Sequence, residues 1–342
     1  MNRRAFLNGT TLATGAVLLG ARPPRAAAAE PLPETTKLRV ALSPAICFAP
    51  LYVAGEGLLK AEGFTSIEYV KAWHKEPAGN KRLATGWEAL ISGEPDIAGT
   101  DGPSFVTQID KGQPIVALAG LHVGCYELFG TDRIRTIIDL KGKKLGIPGL
   151  HSGRHLMMST ILTHVGLDPR KDVEWVTSPA AESMQLLAEG KVDAYMGFPP
   201  EPQELRAKKV GHVVVSTTTD RPWSQYFCCL VAARRDFVRG RPVATKRVLR
   251  AMIRSAELCA TDPGRATQIL VDRGLAPQRD YVLQMMKELP YSRWREYDPA
   301  DALRYYALRL REAGLVKATP QKILADGTEW RFLNELKKEM KA

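Results

Sequence analysis

Beyond Glu30 the chain never holds 18 consecutive apolar residues, so it offers no candidate for a membrane-spanning helix. Its five cysteines (Cys47, Cys125, Cys228, Cys229 and Cys259) include no C-x-x-C pair, which removes the common zinc and redox motifs. A G-x-S-x-G elbow, a P-loop and a G-x-G-x-x-G turn after a strand are all missing. With no catalytic or nucleotide-binding arrangement in view, we read the chain as a non-enzyme that needs no cofactor. Basic residues exceed acidic ones, with a formal net charge of +11. They are not gathered into a segment with interleaved aromatics, so a nucleic-acid partner is not expected.

The first residues are distinctive. "NRRAFL" carries the paired arginines Arg3 and Arg4, followed by the mildly apolar run Thr11 to Ala21 and an alanine string ending before Glu30. A basic start, a short apolar middle and a small-residue end make a cleavable export signal of the twin-arginine type over residues 1–29. No cysteine stands near the cleavage region to take a lipid. We therefore expect a monomeric periplasmic protein, cut near Ala29. The leader holds four arginines and no acid, leaving +11 − 4 = +7 for the rest.

From Lys37 the pattern is strand, loop, helix, repeated, which predicts a parallel α/β architecture. LRVAL is a strand, and LYVAGEGLLKAEG is expected as a helix ending at Gly63. DIAGT is a strand whose end leads into a helix capped by Thr100 or Asp101 with Pro103 in its first turn. KKLGIPG, VEWV and DAYMGF repeat the design, and Ser178 is expected to cap a helix that has Pro179 at its first position. "ALISGEPDIAGT" and "QLLAEGKVDAYMGF" echo one another, suggesting two lobes on one plan. Lobe I is predicted over 30–122 and 224–342, lobe II over 123–223. Two β-rich segments, Pro114 to Gly130 and Trp223 to Ala233, would join them. The C-terminal helices start at Asp262-Pro263, Asp298-Pro299 and Thr319-Pro320 and are expected to pack on lobe I.

In an open parallel sheet, ligands bind where strand ends enter helices. Four loops qualify: Ser43 to Pro50, Thr100 to Ser104, Leu150 to His155 and Phe198 to Pro202. "PGLHSGRH" is the sharpest, since a Gly-containing turn at a helix start exposes unpaired N–H groups and the positive dipole end. There Ser152 supplies a hydroxyl, Arg154 a charged fork and His155 a switchable donor for an oxyanion. Alternatively, Ser152 only caps the helix while Arg154 faces solvent. His151 and His155 stand i, i+4, but no third metal ligand is near and no metal is expected. Asp101 and Glu201 add negative charge, which weighs against a bare inorganic anion, and Glu127 lies in an expected crossover. Phe48, Trp73, Tyr126, Phe198, Trp223 and Tyr226 could supply aromatic walls. Cys228 and Cys229, adjacent in a strand, are expected to point to opposite faces, and most of the five thiols are read as buried small hydrophobes.

Four stretches carry a family resemblance: "KLRVALSPAICFAPLYVAGEGLLKAEGF", "ALISGEPDIAGTDGPS", "DLKGKKLGIPGLHSGRHLMMSTILTHVGLDPRKDVEWV" and "LLAEGKVDAYMGFPPEP". The chain resembles the solute-binding proteins of nitrate/sulfonate/taurine (NitT/TauT, SsuA-like) ABC importers. The resemblance implies the type II periplasmic-binding-protein fold, two α/β lobes joined by a two-segment hinge. It further implies a small-molecule ligand, delivery to a membrane ABC permease with its ATPase, and cleft roles for Phe48, Thr100, Asp101, Ser152, Gly153, Arg154, His155 and Glu201. The expected cargo is a small anionic or zwitterionic organic molecule, sulfonate- or taurine-like; a thiamine-pyrimidine precursor is the alternative. Where the family often has Trp-Asp/Glu-Pro, "FPPEP" keeps only Glu-Pro. Thiamine-pyrimidine synthases share this fold and a cysteine-rich strand resembling "YFCCL". They also use a Lys and a His that the loop Thr100 to Ser104 lacks. A periplasmic sensory module serving a receptor kinase is a further reading.

Overall fold

Short runs of β-branched and aliphatic residues bounded by glycines build two five-stranded sheets. The structure is a computed structural model describing residues 30–43, 45–55, 57–75, 81–276 and 278–340. The leader expected over 1–29 lies outside the described residues. The strands, in chain order, are β1 (Lys37–Ala41), β2 (Ser66–Val70), β3 (Trp73–Lys75), β4 (Lys81–Leu83), β5 (Ile97–Asp101) and β6 (Ile115–Val123). They continue as β7 (Glu127–Gly130), β8 (Lys144–Ile147), β9 (Glu174–Thr177), β10 (Ala194–Gly197), β11 (His212–Ser216) and β12 (Phe227–Arg234). The first sheet has the order β2-β1-β5-β12-β6 and the second β11-β7-β10-β8-β9. In each sheet the strand that crosses over from the other half runs antiparallel to its neighbours. β12 opposes β5 and β6, and β7 opposes β10 and β11. Residues from Leu32 onward form one unit.

The predicted elements appear where the sequence placed them, with local differences. Asp101 caps the helix Gly102–Asp110, accepting from Ser104 N at 2.8 Å, with Pro103 in the first turn. Gly166, Gly190, Gly274 and Gly314 all adopt positive φ beyond helix ends. The helix expected through LYVAGEGLLKAEG is instead two short ones, Ala49–Val53 and Leu58–Ala61. Gly57, at φ 108°, takes a conformation that an α-helix does not use. Ser178 is not a cap: Pro179 precedes the helix Ala180–Ala188, and the Ser178 hydroxyl pairs with that of Ser183 at 2.8 Å.

The C-terminal helices contact the first sheet and also reach the second half. Pro242–Thr261 docks through Arg250, which bonds the buried Glu62 carboxylate at 2.7 Å. Glu34 caps its start, accepting from Val243 N and Ala244 N at 2.9 and 2.8 Å. The helix Pro299–Glu312 packs against both Gly102–Asp110 and Gly153–His164. Among the described residues no helix is long and apolar enough to cross a membrane.

Candidate ligand-binding site

The carboxyl ends of the parallel strands in both sheets meet beside the two crossovers. Gly99 in β5 is required there by a close approach, since a Cβ on it would fall 2.5 Å from the ring of Phe48. Phe48 is thereby packed against strand backbone and is buried. Thr100 is buried beside it, and Asp101 follows as the helix cap. From the second half, Ser152 caps Gly153–His164, its Oγ accepting from His155 N at 3.3 Å.

Gly153 is the point of contact between these groups. A Cβ there would sit 3.0 Å from the Tyr126 hydroxyl oxygen and 3.1 Å from Asp101 Oδ2. The protein's own carboxylate thus lies at the start of the helix, where the dipole favours negative charge. Burial pushes the Asp101 carboxyl above its usual range, opposed by the Ser104 hydrogen bonds and by Arg154.

Arg154 does not face solvent. Its guanidinium pairs with the Glu201 carboxylate and lies 4.1 Å from the centre of the Phe198 ring. Glu201 also accepts from the Tyr195 hydroxyl at 2.7 Å and from Phe198 N at 3.4 Å. Tyr126 meets Phe198 edge-on at 5.9 Å. His155 is buried against Trp175, and its Nδ1 accepts from His151 N at 3.2 Å. Burial pulls its pKa down to about 4, so the ring is neutral near pH 7.

Of the eight residues expected in the cleft, Asp101 and Gly153 meet here and Arg154 pairs with Glu201, while Phe48 packs on Gly99 and His155 on Trp175. The aromatic set divides. Tyr126 and Phe198 are at the site and Phe48 supports it. Trp73 lies 61% exposed on the β3–β4 hairpin. Tyr226 stacks on Tyr305 at 4.3 Å and Trp223 meets His164 at 5.4 Å, away from the cleft. Once the chain turns at Pro222, these two rings meet the C-terminal helix Pro299–Glu312 rather than the lobe junction.

Open space lies next to this cluster, in a cavity of about 320 Å³ lined by Cys125, Glu127, Gln203, Arg206, Thr218 and Glu288 among others. Glu127 starts β7 opposite Gly197, the last residue of β10, so the cavity is at the binding edge of the second sheet. Arg206 pairs with Glu127 and, at 2.7 Å, with Glu288; Gln203 Nε2 donates to Glu288 at 2.9 Å. Burial raises the Glu127 carboxyl above its usual range, against the pull of Arg206. Glu127 Oε2 and Gln203 Oε1 are buried and have no hydrogen-bond partner among the described residues. Buried polar atoms are rarely left so. Sequence reasoning missed Gln203, Arg206 and Glu288. The i, i+3 spacing of Gln203 and Arg206 puts them on one helix face, but nothing in the sequence brings Glu288 to that face.

The cysteine expectation needs correction. Cys228 and Cys229 do not diverge: their sulfurs are 3.5 Å apart, because β12 shifts register against β6 on both sides of Cys229. All five thiols are buried, where the sequence reading expected most of them to be. Cys47, Cys125, Cys229 and His122 also bring one donor atom each within 4.8 Å of one another, the only such donor group among the described residues.

The two-sheet topology with paired crossovers defines a periplasmic-binding-protein fold. Residues 32–271 match the NMT1-like family model, and the chain belongs to that family. It is 30% identical over 101 residues to the bicarbonate-binding protein CmpA of Synechococcus sp., covering 30% of this chain and 22% of that protein. It is 25% identical over 260 residues to the nitrate/nitrite binding protein NrtA of Nostoc sp., covering 68% and 56%. The chain thus spans between 22% and 56% of the length of these curated relatives. Among solved structures, the periplasmic nitrate-binding protein NrtA from Synechocystis PCC 6803 superposes with a TM-score of 0.70 at 17% identity, over 91% of this chain and 90% of that one. The alkanesulfonate-binding protein SsuA from Xanthomonas axonopodis pv. citri, bound to MOPS, gives 0.67 at 17% identity, over 89% and 100%.

Proposed function

We propose that the protein is the solute-binding component of an ABC importer, exported to the periplasm, and that its cargo is a small zwitterion bearing an amine and an anionic group. The family and its nitrate-, bicarbonate- and sulfonate-binding relatives support the transport role. The observation that carries the cargo class is the pair of unpartnered acceptors, Glu127 Oε2 and Gln203 Oε1, on two residues that line the cavity. Two buried acceptors call for N–H donors, which nitrate and bicarbonate-type anions do not supply through nitrogen and an ammonium group does. Arg206 beside them suits the anionic end. The volume suits a molecule of few heavy atoms. Asp101 at the helix start and Glu201 on Arg154 hold the positions an inorganic anion would otherwise take.

Calorimetric titration with taurine, ethanesulfonate, nitrate and bicarbonate tests this reading. Taurine should bind and ethanesulfonate should bind ~10-fold or more weaker, since a hydrogen bond to a charged group is worth ~1.5–3 kcal/mol. Equal binding of the two sulfonates would show that the acceptors do not seat an amine. Tight binding of nitrate alone would overturn the cargo class.

A further inference from the structure

Apart from Cys125, which also lines the cavity, the buried thiols stand outside the ligand site just described, and with His122 they form the most concentrated donor group among the described residues. Cys47 comes from the loop after β1, His122 from the end of β6, Cys125 from the first crossover and Cys229 from β12. Cys229 is the register partner of both Asp101 and His122. The cluster therefore lies directly behind the cleft, with Phe48 and Tyr126 each one residue along the chain from a thiol.

Two of its edges have the length of a ligand set. The sulfur of Cys229 is 3.9 Å from those of Cys47 and Cys125. A tetrahedral ion with bonds of ~2.3 Å to sulfur requires S···S edges of about 3.8 Å. The imidazole supplies an independent sign. His122 Nδ1 lies 2.8 Å from the Gly124 carbonyl oxygen and so carries the proton that donates to it. That contact fixes the tautomer and leaves Nε2 with a lone pair, the usual arrangement behind a metal-ligating histidine. His122 is fully buried, and its Nε2 has no hydrogen-bond partner among the described residues. A buried imidazole with an unpartnered nitrogen thus belongs to the same donor group as three thiols, within 4.8 Å.

We propose that Cys47, Cys125, Cys229 and His122 form a tetrahedral site for zinc, which ties the first crossover to β12 and to the loop carrying Phe48. Three thiolates and a neutral imidazole are a closed, soft donor set, and four protein ligands leave no open position for chemistry. Binding deprotonates the three thiols and releases their protons to solvent, with no change of oxidation state. Cys228, with its sulfur 2.9 Å from that of Cys125, is the competitor. If the two sulfurs were oxidised to a disulfide, Cys125 would be lost as a ligand.

The full chain, purified anaerobically and stripped with chelator, is titrated with Zn(II) and, in parallel, with Co(II). The expected result is one ion per chain by native mass spectrometry, and a thiolate-to-cobalt charge-transfer band. Cys229→Ser and His122→Ala should each weaken zinc by more than the ~10–100-fold that outer partners are worth, while Cys228→Ser and Cys259→Ser retain it. Far-UV circular dichroism checks that the variants fold, and the wild-type cobalt spectrum reads the site without any variant. Five free thiols with no bound ion would overturn the proposal. So would a Cys125–Cys228 disulfide in the exported protein, uptake of Cu(I) but not Zn(II), or loss of zinc in Cys228→Ser with retention in Cys47→Ser.

Discussion

Arg154 and Arg206 both meet carboxylates beside the helix Glu201–Lys208, but they end in different surroundings. The Arg154 side chain is 10% exposed, closed in by Glu201 and Phe198, while Arg206 is 29% exposed and borders a cavity. Glu201 spreads its bonds over Arg154, Tyr195 and Phe198 N. Glu127 leaves one oxygen unpartnered among the described residues. The Arg154–Glu201 pair leaves Arg154 Nε as its one buried atom without a partner among the described residues, whereas the Arg206–Glu127 pair leaves a carboxylate acceptor on a residue that borders a cavity.

The largest effect should come from breaking the closed pair. Glu201→Ala leaves the Arg154 charge buried without a counterion, and urea unfolding should show a loss of ~3–5 kcal/mol. A loss below ~1 kcal/mol would place Arg154 in solvent and erase the contrast between the two arginines.

The next effect is a pH dependence on the Arg154 side. His155 has a pKa lowered from 6.5 to about 4 by burial. Its folded state binds fewer protons than its unfolded state between these values, so its contribution is complete above pH ~6.5 and is lost as pH falls towards ~4. The expected loss is ~2–3 kcal/mol. Urea midpoints at pH 7 and 4.5 should differ less in His155→Gln than in the wild type; an unchanged difference would place the responsible proton elsewhere.

The open cluster should show the opposite profile. Glu127→Gln should weaken a zwitterionic ligand ~10–100-fold in calorimetry. Its melting temperature should shift little, because Arg206 retains Glu288. If stability falls as far as in Glu201→Ala, the cavity cluster is structural as well.

The smallest effect should be at Gly153, where an added methyl would meet Tyr126 and Asp101 at 3.0–3.2 Å. Gly153→Ala should cost ~1 kcal/mol or less, since φ is ordinary and a few tenths of an ångström of movement relieve the contact. A larger loss would mean that the junction cannot give.

Much of this was legible because local chemistry writes itself into short stretches. Asp101-Gly-Pro-Ser announces a cap, and glycines after apolar helices announce their ends. Asp101 and Gly153 come together because each stands just beyond or at the carboxyl end of a parallel strand. Illegible were the partners that come from far along the chain. Glu288 is 82 residues from Arg206, and Cys47 is 182 residues from Cys229. The absence of C-x-x-C spacing concealed the cysteine group, because its members come from a loop, a crossover and a return strand.

The sequence alone determined the two-sheet α/β plan, the crossovers and the loops that could bear chemistry. These depend on periodicity, caps and turns, which act over a few residues. Only the tertiary structure decided which charges cancel, which acceptors remain open and which thiols meet. Those outcomes depend on side chains brought together by packing and on a register shift in β12, and no local pattern encodes either.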